Sequence, residues 1–540
     1  MPQSGLKARA GEAFLLGRPV RPTLSKDLWV AGVVGDWTRR CLERSCRFIP
    51  VEPHTWRGAI ERDPPHLLLV ESPGPDSPAV WSGLLQKQRL RAAPELAALV
   101  HACKSRGIPT IFWNIDGLSR FDTFRQASGL FEYVFAASQR VMNAYLDCRD
   151  VLYCEVDHLP LAVQPRLHTP RHRSYEQRLA LGCASFYGVE ERADAVDGVM
   201  EWCFDNGTLI SFYSRDPVAV ERPAHNGHKV RTESARIRDY RDLLDAYDQH
   251  DFFVEFPVPN EVRNDRATLE LLATGALVWD GNNYRLSHLV KDYELLDAGE
   301  AEALDYYTAQ KAEPEKLLAA VRTIQARLVA RHAYENRLAT ILQRTGLQLS
   351  ADAGLSIDLV VLADEIEAVE RLAAMLRCQT LQPWRVFVGT TMEPARVDFD
   401  EVVRGAALAL TDVRIVRQPA RPRHERYRML GGMLSSDHVA VVVPDAQYAP
   451  DYLESLALGA RCCEADVLGL RGAGPARSDP FSYTTALHPH HCLVTSRFLA
   501  EQGWCDDPSA ANEQMAAWFR NGTRLYLAGP LSQDGAAGAS

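Results

Sequence analysis

The chain has 540 residues, 46% of them hydrophobic, and a formal net charge of −10. That is too long for one core and apolar enough for several, so two or three domains are expected, and the acidic balance lacks the basic footprint of a protein that tracks a phosphate polymer. The twelve cysteines include no Cys-x-x-Cys pair, and no apolar run approaches the roughly 20 residues that span a bilayer, so a reducing cytoplasm and a protein without a membrane span are expected.

Residues 1–25 carry Gly, Pro, Arg and Ser without periodicity and read as a flexible arm. Ala13-Phe-Leu-Leu-Gly17 within it is too short for the apolar core of a signal peptide. Leu28-Trp-Val-Ala-Gly-Val-Val34 is a short apolar run ending at Gly35-Asp36, with Thr38 placed to cap a helix that carries Arg39 to Arg44. Pro64-Pro-His-Leu-Leu-Leu-Val-Glu71 is a second strand entering a Pro-rich loop. Helical spacing between Leu90 and Arg106 leads through Gly107-Ile-Pro into Ile111-Phe-Trp-Asn-Ile-Asp-Gly-Leu-Ser-Arg-Phe-Asp122, which opens as a buried strand and ends in polar groups. Strands alternating with helices predict a parallel, doubly wound sheet over 26–170.

A second such series, over 171–350, starts near Arg178 with Leu179 to Tyr187, continues through Gly207-Thr-Leu-Ile-Ser-Phe-Tyr213 and reaches Ala276-Leu-Val-Trp-Asp280. It closes with one long helical stretch from about Glu313 to Arg344. A third unit, over 355–530, begins at Ser356-Ile-Asp-Leu-Val-Val-Leu-Ala-Asp364 and runs through Trp384-Arg-Val-Phe-Val-Gly389 and Asp437-His-Val-Ala-Val-Val-Val-Pro-Asp445. Residues 531–540 look frayed. There is no repeat of 20 to 50 residues.

Ligands of an open α/β sheet gather beyond the carboxyl ends of its strands. Asp36, Glu71, Asn114 and Asp116 all stand at such ends. A carboxylate there can take a proton from an acceptor hydroxyl, which makes Asp36, Glu71 and Asp116 the candidate catalytic residues. The alternative is structural: Asp36 caps the following helix and Glu71 bonds a neighbouring loop.

Ile108-Pro-Thr-Ile-Phe-Trp-Asn114 through Phe135 resembles the spore-maturation CgeB-like glycosyltransferases. So, in the same order, do Gly35-Asp36-Trp37-Thr38 with Cys41, Pro53-His-Thr-Trp56 and His66 to Ser72. The resemblance covers roughly residues 27 to 345. It implies α/β architecture with two Rossmann-like domains in a GT-B arrangement, in which a nucleotide-diphosphate sugar is bound mainly by the second domain and an acceptor hydroxyl is presented from the first. Gly182-Cys-Ala-Ser185-Phe-Tyr187 with Arg192 resembles the family's turn, where backbone and helix terminus cradle a diphosphate. Arg263 to Asp280 resembles the segment whose glutamate binds the donor ribose, which makes Glu270, with Arg266 and Gly275, the donor-binding candidates. Two departures stand out: Ala267 replaces the family's arginine, and Val262 falls where retaining relatives carry a partner carboxylate. Arg331-His-Ala-Tyr-Glu-Asn-Arg337-Leu resembles the family's terminal packing helix.

The third unit resembles family-two glycosyltransferases of GT-A fold through Gln379-Thr-Leu-Gln-Pro-Trp384. Its metal motif is eroded to Val443-Pro-Asp445-Ala446, and the later Glu-Asp pair to Asn512-Glu513. A hard divalent cation needs several oxygen ligands, so this GT-A-like domain is expected to be non-catalytic. His488-Pro-His490-His491-Cys492 carries zinc-ligand types without a second pair at ligand spacing and reads as a loop at the core edge.

The expectation is a glycosyltransferase that needs no metal, with a divalent cation entering only if the third domain is active. The acceptor stays open between glycan, protein, modified nucleic acid and small metabolite, and an oligomer is possible. Two alternatives remain: a nucleotide- or glycan-binding protein on the same scaffold, and catalysis by the third domain.

Overall fold

The computed structural model describes residues 28–62, 64–73, 94–148, 155–170, 178–181, 201, 205, 209–214, 232–236, 239–255, 265–280, 314–347, 357–392, 401, 405, 412–470, 482–484 and 487–528. The first sheet holds β1 (Trp29–Val33), β2 (Arg47–Pro50), β3 (Leu67–Glu71), β4 (Thr110–Asn114), β5 (Tyr133–Ala136) and β6 (Glu155–His158) in the order β2-β1-β3-β4-β5-β6. All its pairs are parallel. β3 and β4 are buried at every position, as a strand covered on both faces must be, and this is why they read as unbroken apolar runs. Alternate residues enter opposite cores: Leu67, Leu69, Ile111 and Trp113 on one face, Leu68, Val70 and Phe112 on the other. The strand order reverses between β1 and β3, which opens a crevice at their carboxyl ends.

The second sheet, β7 (Arg178–Leu181), β8 (Leu209–Ser214), β9 (Thr232–Arg236), β10 (Phe252–Glu255) and β11 (Leu277–Asp280), has the order β11-β10-β7-β8-β9. It too is parallel throughout. Tyr240, Phe252, Leu271, Trp279 and Tyr334 belong to the same buried cluster as Leu67 and Trp113, so one core joins the first two domains.

The third sheet holds β12 (Ile357–Leu362), β13 (Arg385–Thr390), β14 (Asp412–Arg417), β15 (His438–Val442), β16 (Val467–Leu470), β17 (Ser482–Tyr483), β18 (Cys492–Thr495) and β19 (Leu525–Ala528). Its order is β14-β13-β12-β15-β18-β16-β19-β17, with β18 antiparallel to both neighbours. The chain is therefore α/β with parallel doubly wound sheets followed by a further, mixed α/β domain. No helix among the described residues is long and apolar enough to cross a membrane.

Two local expectations need correction. Thr38 does not cap its helix: the N-cap of Asp36–Leu42 is Gly35, and Thr38 lies buried inside the helix. The long helix from Glu313 to Arg344 is two, Pro314–Arg331 and Tyr334–Thr345. Val163 interrupts it, since its N–H donates to His332 O at 2.8 Å and its carbonyl accepts from Tyr334 N at 3.0 Å. Those bonds satisfy backbone groups that a continuous helix would have paired internally, which is how a residue distant in sequence can break a periodic segment.

In the third domain Asp358 on β12 is fully buried and accepts from Arg385 Nε at 3.0 Å, Arg385 Nη2 at 2.6 Å and Ser436 Oγ at 2.8 Å. Removing the carboxylate strands a buried guanidinium, a change that costs about 3–5 kcal/mol. Asp358→Ala should lower the urea midpoint of the third-domain transition accordingly; an unchanged midpoint would count against this pair as a structural anchor.

Candidate functional site

Asp36 is the first residue of its helix, just beyond β1. Its carboxylate, about one-third exposed, is bonded by Arg39 and by Arg40 Nε at 2.8 Å. Burial acts to raise its pKa, but the two guanidinium hydrogen bonds outweigh it and hold the group below the usual carboxylate range. It is thus an ionised acceptor of reduced basicity. Glu71 ends β3 and is 1% exposed. Burial drives the Tyr334 phenol well above its ordinary pKa; the Arg266 guanidinium opposes this, and Cys41, Glu71 and Glu270 add to it. Asp116 is fully buried and paired with Arg120 at 3.2 Å, and Asn114 Nδ2 donates to Tyr145 Oη at 2.8 Å. Those two residues are fastened within the first domain.

The donor-binding candidates divide. Gly182, Ser185, Tyr187 and Arg192 lie outside the described residues. Gly275 ends the helix Asp265–Thr274 with φ +88°, and a Cβ there would come within 2.6 Å of Gln325 Nε2. This glycine lets the helix stop against Pro314–Arg331.

Glu270 and Arg266 lie one turn apart on the helix Asp265–Thr274, and both are buried. Glu270 Oε1 accepts from Arg266 Nε at 2.8 Å and Tyr240 Oη at 3.1 Å, while Oε2 accepts from Tyr247 Oη at 3.1 Å. A ribose diol would reach this carboxylate only by displacing one of these donors. Arg266 crosses to the first domain, where Nη1 donates to Thr38 Oγ1 at 3.0 Å and Nη2 to Cys41 Sγ at 3.7 Å. Its guanidinium lies 5.2 Å from the Trp37 ring centroid, and Trp37 stacks on Tyr240 at 5.2 Å. Burial opposes the guanidinium charge, yet Tyr334, Glu270, Cys41 and Tyr240 raise its pKa well above the ordinary value.

Cys41, His168 and Glu270 form the one group among the described residues whose ligand atoms lie within 4.8 Å of one another. Their bonding does not fit a metal. His168 Nδ1 accepts from Gln164 N at 2.9 Å, so the neutral ring carries its proton on Nε2, which donates to Tyr240 Oη. Both ring nitrogens are thus engaged, burial pushes the Cys41 thiol up to about 12, and Arg266 already supplies the cation.

In the third domain Asp445 is 77% exposed and pairs with Arg371 Nη2 at 2.8 Å. His490 Nε2 bonds Asp506 O at 2.8 Å, and His491 packs on Tyr448 with ring centroids 5.4 Å apart. The His488 to His491 loop therefore has structural contacts of its own. Thr38, Cys41, His168, Tyr240 and Tyr247 were not among the sequence candidates. A faint signal existed for two of them, since Tyr240 and Tyr247 recur seven residues apart and share a helix face.

No protein-family model matches the chain, and no curated protein matches it. Among solved structures it is similar to the mannosyltransferase PcManGT from Pyrobaculum calidifontis, determined with GDP-Man and Mn2+, at 15% identity and TM-score 0.27, over 36% of this chain and 62% of that one. It is similar to S. aureus TarS 1-349 at 13% identity and TM-score 0.26, over 32% of this chain and 57% of that one. The DNA-modifying enzyme beta-glucosyltransferase, determined with and without uridine diphosphoglucose, matches at 10% identity and TM-score 0.38, over 59% of this chain and 99% of that one. The first and third are glycosyltransferases by name; likenesses of this size assign no activity to the chain, which spans less than two thirds of the first two.

Two outcomes are expected of the buried cluster. Glu270→Ala leaves Arg266 desolvated without its carboxylate, which should cost about 3–5 kcal/mol in denaturant unfolding; a loss below 1 kcal/mol would show that the pair is not the anchor described. Burial also holds His168 down to about 4, against the pull of Glu270, from an ordinary value of 6.5. Between those values the unfolded chain binds a proton that the folded chain does not, so this contribution is complete above about pH 6.5 and is lost as pH falls toward 4. His168→Gln should reduce the pH slope of the urea midpoint between pH 7 and 5, and parallel slopes for the two proteins would contradict it.

Proposed function

We propose that this chain is a glycosyltransferase of GT-B arrangement that moves a sugar from a nucleotide-diphosphate sugar to an acceptor hydroxyl in the cleft between its first two domains. The observation that carries this reading is the conjunction of Asp36 and Glu71 at the β1/β3 crevice with the helix Asp265–Thr274, which meets the Asp36 helix through Arg266. The ordered motifs of the first two domains support it. In this scheme residues 182–192, which lie outside the described residues, take the leaving diphosphate with the Arg192 charge offsetting its own, and Asp36 or Glu71 orients and deprotonates the acceptor hydroxyl. Glu270 acts on the donor by holding Arg266 and its helix in place, since its oxygens are already bonded.

The saturation of Glu270 favours a second reading, in which the scaffold binds a nucleotide or glycan without turnover. Catalysis by the third domain is the less favoured course, because Asp445 is engaged by Arg371 and its neighbours Val443 and Ala446 offer no side-chain oxygen.

A panel of uridine- and guanosine-diphosphate sugars decides between them. A ligand at 100 times its dissociation constant raises stability by about 2.7 kcal/mol, so one sugar should shift thermal unfolding and should then be slowly hydrolysed in the presence of a chelator. Stabilisation without hydrolysis would select the binding protein. Hydrolysis that vanished with the chelator, returned with manganese and was eliminated by Asp445→Ala would move catalysis to the third domain.

A further inference from the structure

Residues 163–169 lie where the three domains meet. Gln164 Nε2 donates to Cys41 O at 2.9 Å and Ser45 Oγ at 2.8 Å, both in the first domain. His168 bonds Tyr240 of the second domain. Thr169 Oγ1 donates to Cys462 O at 3.3 Å, and Arg166 Nη1 reaches Glu464 Oε1 at 3.4 Å, both in the third. Beside this joint the helix Tyr452–Cys462 packs on Pro314–Arg331: Val329, Leu458 and Cys462 form a small buried cluster, and Arg461 Nη1 donates to Val329 O at 3.1 Å.

The directions of the bonds turn this joint into a relay. Gln164 N–H fixes the His168 tautomer, and the Nε2 proton is given to Tyr240 Oη. Tyr240 O–H is then free to point at Glu270 Oε1, which also accepts from Arg266, whose far end donates to Thr38. Five side chains thus connect a linker that the third domain touches to the helix that carries Asp36. All five are buried, so rearranging one leaves the next polar group unsatisfied in a dry environment.

We propose that His168 is a positioning residue: by fixing Tyr240, and through it the Glu270–Arg266 pair, it sets the helix Asp36–Leu42 against the second domain, and docking of the third domain holds His168 in place. The kinetic consequence rests on the proposed glycosyl transfer, whereas the structural consequence does not. The inference gives the third domain a part in the reaction that needs no metal of its own.

The test uses the full-length chain with Tyr240→Phe, which keeps the ring and removes the relay hydroxyl, with Thr38→Val at the opposite end of the relay, and with Arg461→Ala at the third-domain contact. Hydrogen exchange in Asp36–Leu42 should quicken at least tenfold in the first two variants. Arg461→Ala should quicken exchange across residues 163–169 and, to a smaller extent, in Asp36–Leu42. Hydrolysis of the uridine- or guanosine-diphosphate sugar that the wild type accepts should lose at least tenfold in kcat in Tyr240→Phe, with KM changed less than twofold. A raised KM with unchanged kcat would overturn the positioning role and assign Tyr240 to donor binding. Unchanged exchange in Asp36–Leu42 in both Tyr240→Phe and Thr38→Val would overturn the relay, and unchanged exchange at 163–169 in Arg461→Ala would remove the third domain from it. If the wild type hydrolyses no nucleotide sugar, the glycosyl-transfer reading fails while the exchange experiment still decides the relay; should Tyr240→Phe not fold, Thr38→Val carries the test.

Discussion

Withdrawing a guanidinium from water costs several kcal/mol that pairing and hydrogen bonds must offset, and Arg266 is 3% exposed at the boundary between two domains. Its Nε is satisfied from its own helix by Glu270, and its Nη groups from the first domain by Thr38 and Cys41. Separating the two domains along this boundary would leave Arg266 paired with Glu270 but strip it of its Thr38 and Cys41 partners. Trp37 and Tyr240 close the space around it with aromatic faces, which attract a cation while excluding water. Much of the surrounding arrangement follows from satisfying that one group.

Under the proposed glycosyl transfer the same constraint bears on donor binding. Glu270 has the position along the chain that a donor-binding carboxylate would have, yet its oxygens accept from Arg266, Tyr240 and Tyr247. A ligand must either compete with three internal donors or bind elsewhere on the rim of the second sheet. Asp36 stays ionised beside Arg39 and Arg40, which suits it to accept a hydrogen bond from a hydroxyl and makes it a weaker proton acceptor. Glu71 is buried at the end of β3.

The third domain is attached by modest means. A three-residue apolar cluster, one arginine donating to the end of a helix, the Thr169 hydroxyl on Cys462 O and an exposed ion pair are among the described contacts around residues 163–169 and 329–330. An exposed ion pair contributes about 0–1 kcal/mol, so the apolar cluster and the buried bonds carry the docking. Its own sheet is anchored separately: Arg385 and Asp358 tie β12 to β13, and Arg426 ties Asp364 to Gly389 and Gln418 at the strand ends.

The sequence by itself determined the α/β class, because parallel strands covered on both faces are near-continuous apolar runs, and residues 67–70, 111–113 and 359–362 are such runs. It also placed Asp36 and Glu71 at strand ends, since position along a strand is a local property. Only the tertiary structure decided what the polar residues bond. Arg266 and Thr38 are 228 positions apart, and Tyr240 and His168 are 72 apart, so no periodicity connects them. The break between Pro314–Arg331 and Tyr334–Thr345 had the same origin: its helical pattern is unbroken in the sequence, and the backbone of Val163, from another domain, takes the hydrogen bonds that would have carried it through. Short-range patterns report which face of an element is buried, whereas the partners of a buried charge are fixed only when distant segments are brought together.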